Sequence, residues 1–159
     1  METLLPLATI AARRLIDRRE TVAVAESSSG GLICAALLAV PGASAYFVGG
    51  GVIYTARARH RLLDIGKADV EGMRSASEPY ALLLARTARD RLGTVWGLSE
   101  TGAAGPSGNP YGDAAGHSCI ALAGPIERAR TVETGDPDRL RNMRAFSAAA
   151  LRLLIDVLD

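Results

Sequence analysis

The chain has 159 residues, enough to bury a sizeable core in one domain and with little room for a second. Apolar residues make up 48% and charged residues 22%, and the formal net charge of +1 argues against a nucleic-acid groove or an acidic partner. Two cysteines, Cys34 and Cys119, lie in apolar segments as buried thiols, and His60 and His117 are too far apart for a zinc spacing.

Leu4, Leu7, Ala8, Ala11 and Leu15 recur at helical spacing and predict a first helix ending near Arg19. Glu2, Pro6 and the lack of a small-residue cleavage site distinguish this start from a signal peptide. No apolar run is long enough to span a membrane, so a cytoplasmic location is expected. Thr21 to Ala25 is short, apolar and β-branched, a buried strand. Glu26-Ser27-Ser28-Ser29-Gly30-Gly31 follows and leads into an apolar helix over Leu32 to Val40, stopped by Pro41-Gly42. A loop between strand and helix presents free N–H groups and hydroxyls at the helix N-terminus, where anions such as phosphate bind.

Ala43 to Phe47 reads as a connector, and Gly49-Gly50-Gly51 leads into a second strand over Val52 to Thr55. Taken alone, Ser44 after the turn reads as a cap. The cluster Arg57, Arg59, His60 and Arg61 reads as the solvated face of a short basic helix. Ser77-Glu78-Pro79 starts a helix that runs to about Leu92, with a hydroxyl cap and proline in the first turn. Thr94 to Leu98 is a third strand, and Ser99 to Ala115 a long loop carrying Thr101-Gly102-Ala103-Ala104-Gly105-Pro106. Close glycine spacing after a strand points to backbone approach to a ligand. Gly116 to Ala123 and Ile126 to Thr134 form a hairpin around Gly124-Pro125. The last helix opens on Asp136 as cap and Pro137 as first residue. Its buried stripe is Leu140, Met143, Phe146, Ala150, Leu153, Leu154 and Val157. The pattern predicts an α/β fold, a mixed sheet with helices on both faces.

In order and spacing these segments resemble the CinA C-terminal-domain family, the nicotinamide mononucleotide deamidases. The residues that carry the resemblance are Ala25 to Gly31, Val40 to Phe47, Gly50 to Tyr54, Ser77-Glu78-Pro79, Thr101 to Pro106 and Gly135-Asp136. It covers almost the whole chain and implies a three-layer α/β/α sandwich over residues 1–159. It also implies an amidohydrolase that converts nicotinamide mononucleotide to nicotinic acid mononucleotide and ammonia without a cofactor or a metal. By position, Ser44 would be the nucleophile, with Tyr54 and Thr101 orienting the reacting groups. Ser27, Ser29, Gly30, Gly31, Gly102, Gly105 and Arg141 would hold a nucleotide-like substrate. The family's base is a lysine fifteen residues beyond the serine; here that position is Arg59, whose guanidinium holds its proton at neutral pH. His60, His117 and Lys67 are the other candidate bases. The alternative is a catalytically inactive homologue that binds a pyridine-nucleotide-like ligand. A homo-oligomer, a dimer above all, is the expected assembly.

Overall fold

The computed structural model describes residues 1–159. In chain order the elements are α1 (Leu5–Arg18), β1 (Val22–Glu26), α2 (Leu32–Leu38), β2 (Phe47–Val52), α3 (Ala56–Leu63), α4 (Glu78–Leu92), β3 (Trp96–Ala103), β4 (His117–Ala123), β5 (Arg128–Glu133) and α5 (Arg139–Leu158). The strands form one mixed sheet in the order β2-β1-β3-β4-β5. β2, β1 and β3 run parallel, while β4 is antiparallel to both β3 and β5.

The three-layer α/β/α arrangement expected from the sequence is the one observed. Alternation along the strands sends Val22, Val24, Leu98, Ile120 and Leu122 to one face, where they pack with α1, α2 and α5. Ala23, Ala25, Ala121 and Ala123 go to the other face, under α3 and α4. The alanines let α4 approach closely. A Cβ at Gly97 would run into the carbonyl of Ala85, so β3 and α4 meet backbone to backbone there.

Four boundaries differ from the sequence reading. β2 is Phe47–Val52, so the three glycines lie inside the strand instead of before it. Pairing with β1 gives them their strand geometry, and at Gly50 there is no room for a side chain: a Cβ would stand 2.5 Å from Cys34 Sγ of α2 and 2.6 Å from the Val24 carbonyl oxygen of β1. β3 continues to Ala103 because β4 pairs with it from Gly97 to Ala103; Thr101 and Gly102 are strand residues, not loop residues. α2 ends at Leu38, two residues before Val40. The N-cap of α5 is Asp138, whose side chain accepts from the Arg141 N–H. Asp136 lies outside the helix, and Leu140, expected in its buried stripe, is 62% exposed.

No helix is long and apolar enough to cross a membrane. The parallel strands β1, β2 and β3 bring their carboxyl ends to one edge of the sheet, where three loops converge.

Candidate active site

The first loop, Ser27 to Gly31, is held from below by two fully buried carboxylates. Glu26 Oε2 accepts from Ser29 Oγ at 2.7 Å and from the N–H groups of Gly31 at 2.9 Å and Ile33 at 3.1 Å. Its Oε1 accepts from the Cys34 N–H at 2.7 Å. The anion at the N-terminus of α2 is therefore the chain's own Glu26, and the phosphate seat expected there is filled. Glu100 on β3 accepts from the N–H groups of Ser27 at 3.2 Å and Ser29 at 2.8 Å, and from the hydroxyls of Ser28 at 2.5 Å and Ser118 at 2.8 Å. Ser29 is fully buried and engaged with both carboxylates, and neither it nor Gly31 lines the cleft. Of this loop, Ser28 does. Burial pushes the Cys34 thiol far up, and the Glu26 carboxylate adds to the shift, so Cys34 carries no thiolate chemistry.

The cleft itself holds about 260 Å3. Gly102, Ala103, Ala104 and Gly105 line it together with Ser107 to Pro110 and Tyr54. Arg139, the first residue of α5, closes it: Nη1 donates to the Gly105 carbonyl at 2.7 Å and Nη2 to the Tyr54 hydroxyl at 3.3 Å. Gly105 has φ +107°, and a Cβ there would stand 2.6 Å from the Pro137 carbonyl oxygen, so only glycine lets the segment after β3 meet the segment before α5 at this point. Buried Asn142 stitches the same junction by donating to the carbonyls of Ala104 at 2.8 Å and Asp136 at 2.6 Å.

Among the residues expected at the site, Tyr54, Gly102 and Gly105 line this cleft. Arg141 does not: its exposed side chain reaches Asp136 and Asp138. Arg139 takes its place. Two helical positions turn a side chain by roughly 200°, so moving the cap from Asp136 to Asp138 accompanies a different arginine at the mouth. Thr101 is buried on β3, opposite Cys119. Ser99, two residues before it, donates to the Ala81 carbonyl of α4, which puts Thr101 on the α4 side of the sheet.

Arg59 also lies on that side. It is 9% exposed, its Nε donates to the Ile65 carbonyl at 3.3 Å, and its guanidinium stands 6.0 Å from the centroid of the Tyr80 ring. No carboxylate pairs with it; the Ile65 carbonyl and the Tyr80 ring are what its guanidinium group meets. Ser44 stands apart from the cleft. It is exposed on a 3-10 turn, Ala43–Ala45, that precedes β2, while Tyr54 follows β2. Five steps of extended chain from Phe47 to Val52 separate the two ends by roughly 16 Å.

His117 opens β4 beside the loop that covers the cleft. Burial alone would push its pKa down. Glu133 at Nδ1, the Ala76 carbonyl at Nε2 and the nearby Asp113 carboxylate outweigh burial and hold it above the usual histidine value. Both ring nitrogens are engaged, so His117 has none free to act as a base. A raised folded-state pKa stabilises the fold fully below the unfolded value of about 6.5, and that contribution is lost as pH rises through the folded value. Denaturant midpoints should therefore fall as pH rises above about 6.5, and the His117→Asn variant should lose that part of the fall.

The CinA C-terminal domain profile matches residues 5–158. The chain is 40% identical over 148 residues to a CinA-like protein of Chlorobaculum tepidum, covering 89% of this chain and 34% of that protein. It is 40% identical over 140 residues to a CinA-like protein of an Anaeromyxobacter species, covering 87% and 34%. The chain thus spans about a third of the length of the curated relatives it matches. Among solved structures it is similar to the competence/damage inducible protein CihA from Agrobacterium tumefaciens, with a TM-score of 0.90 and 28% identity over 98% of this chain and 96% of that one. It is also similar to a competence-damaged protein (CinA) superfamily protein from Enterobacter cloacae, with a TM-score of 0.90 and 26% identity over 98% and 92%.

Proposed function

The chain belongs to the CinA C-terminal domain family, and we propose that it is a serine amidohydrolase acting on nicotinamide mononucleotide or a closely related pyridine nucleotide. The observation that carries this reading is the Tyr54–Arg139–Gly105 chain of hydrogen bonds, which walls a polar cleft with a hydroxyl and a fixed cation. In the reaction the Ser44 oxygen attacks the amide carbonyl carbon; because a chain's own Ser44 lies at the far end of β2 from the cleft, the attacking serine belongs to a second copy of the chain. The C–N bond then breaks, and ammonia leaves with the proton that the serine gave up. Water hydrolyses the resulting ester to the carboxylate and restores the serine. Arg139 suits the substrate's phosphate, because a guanidinium binds an oxyanion through two donors. Tyr54 orients the substrate.

Arg59 supports a second reading, a chain that binds such a nucleotide without turning it over. Its guanidinium takes no proton from a serine at neutral pH, whereas a lysine desolvated at the same place loses its proton far more readily. Purified protein incubated with nicotinamide mononucleotide separates the two. Ammonia release by the wild-type chain, raised about tenfold or more in Arg59→Lys, is the expected result. Binding by calorimetry with no ammonia from wild type, and turnover only in Arg59→Lys, would establish the binding-only chain.

A further inference from the structure

We propose that Ser28, its hydroxyl fixed by Glu100, accepts a hydrogen bond from the carboxamide of the substrate and rejects the carboxylate of the product. The identity of the ligand rests on the nucleotide reading above. The polarity of the hydroxyl does not.

Ser28 is the one buried polar side chain among those that line the cleft, at 4% exposure. A serine hydroxyl carries one proton and two lone pairs. Here the proton is committed: Oγ lies 2.5 Å from Glu100 Oε1, and a carboxylate only accepts. Ser28 therefore has lone pairs to offer a ligand and no proton. Glu100 is fully buried, and no arginine, lysine or histidine pairs with it, so no ion pair offsets its charge behind the serine.

That polarity suits the start of the proposed reaction and not its end. A carboxamide N–H2 is a donor, and Ser28 Oγ can take one of its protons. A carboxylate has no proton at neutral pH. It sets its own lone pairs against those of Ser28, with the Glu100 charge beyond them. Arg139, which suits the phosphate, bonds Gly105, five residues after Glu100, and leaves Ser28 to the other end of a nucleotide. The amide is then held and the acid made from it is released. Ser28 is a specificity residue in this scheme, and Glu100 a positioning residue that acts through it.

Glu100→Gln tests the polarity, because the loop dictates how the new amide must sit. Oε2 accepts from two main-chain N–H groups, of Ser27 at 3.2 Å and Ser29 at 2.8 Å, and these can only donate. Oε1 meets the hydroxyls of Ser28 and Ser118, and these can turn to accept. The glutamine oxygen takes the Oε2 place and its N–H2 the Oε1 place. Ser28 then accepts from the side chain behind it, and its proton turns to the cleft.

Calorimetry on the Ser44→Ala chain, with nicotinamide mononucleotide and nicotinic acid mononucleotide as probes, reads the result without turnover. The amide form should bind about tenfold or more tightly than the acid form. Adding Glu100→Gln should reverse that order. Adding Ser28→Ala should bring the two affinities within about threefold of each other, and it carries the test alone if Glu100→Gln does not fold. A merely structural role would weaken both nucleotides together and reverse nothing. Equal affinities in the Ser44→Ala chain, or a preference that survives both substitutions, would overturn the proposal and leave the amidohydrolase reading standing. Ammonia release by Ser44→Ala that stops when Ser28→Ala is added would overturn it as well, by making Ser28 the nucleophile. A preference that reverses as expected in a protein whose wild type releases no ammonia would leave the role of Ser28 standing and overturn the amidohydrolase reading alone. Binding of neither nucleotide would overturn both.

Discussion

Glu26→Ala should destabilise the fold by roughly 4 kcal/mol, about 1 kcal/mol for each of the four donors that lose their acceptor. Those donors are the Ser29 hydroxyl and the N–H groups of Gly31, Ile33 and Cys34. They lie at the start of a helix of only seven residues, too short to hold itself together without its packing and its cap. Glu26→Gln keeps one acceptor oxygen and turns an amide toward donors, so about half of the loss is expected. Urea denaturation would read both as lower midpoints at constant slope. Coupling to Glu100 is expected as well, because the Ser29 N–H donates to Glu100 while its hydroxyl donates to Glu26. A Glu26→Ala chain as stable as wild type would show that water replaces the carboxylate, and that the serine loop does not depend on it.

Ser44→Ala should lower kcat for nicotinamide mononucleotide by at least about 10^3-fold and leave KM nearly unchanged, as removal of a nucleophile does. The interpretation is clean because Ser44 is exposed and its hydroxyl makes no hydrogen bond within the chain. Exposed substitutions of that kind shift stability by about 0.5 kcal/mol or less, so unfolding would not account for the lost rate. Steady-state kinetics with a melting curve on the same sample checks both halves. Unchanged turnover would remove Ser44 from the reaction. It would move the attack to Ser28, whose hydroxyl lines the cleft and already donates to the buried Glu100 carboxylate.

The two carboxylates show why the serine loop was only half legible. Three serines and two glycines between a strand and a helix mark a loop whose backbone is locally specialised, and it is one. By sequence Glu26 opens the serine-glycine loop and Glu100 falls in a later loop; in the structure Glu26 ends β1 and Glu100 lies within β3. Only pairing of β1 with β3 puts both beneath the same five residues, where they take the donors a ligand was expected to use. Arg139 was hidden for a related reason. Asp136 and Asp138 are equally good caps by residue type, and the choice between them depends on how Asn142 and Gly105 dock α5 onto β3.

What the sequence determined by itself is local and chemical. Side-chain periodicity set the type and order of the helices and of the strands other than β2. The order of the motifs identified the family, and Arg59 stands where the resemblance implied a base lysine. What the tertiary structure decided is which backbone and which faces meet. A run of three glycines carries no side-chain period, so β2 became a strand only through its pairing with β1. A serine's position in the chain does not say which end of the sheet it occupies, so the distance between Ser44 and the cleft appeared only once β2 was in place.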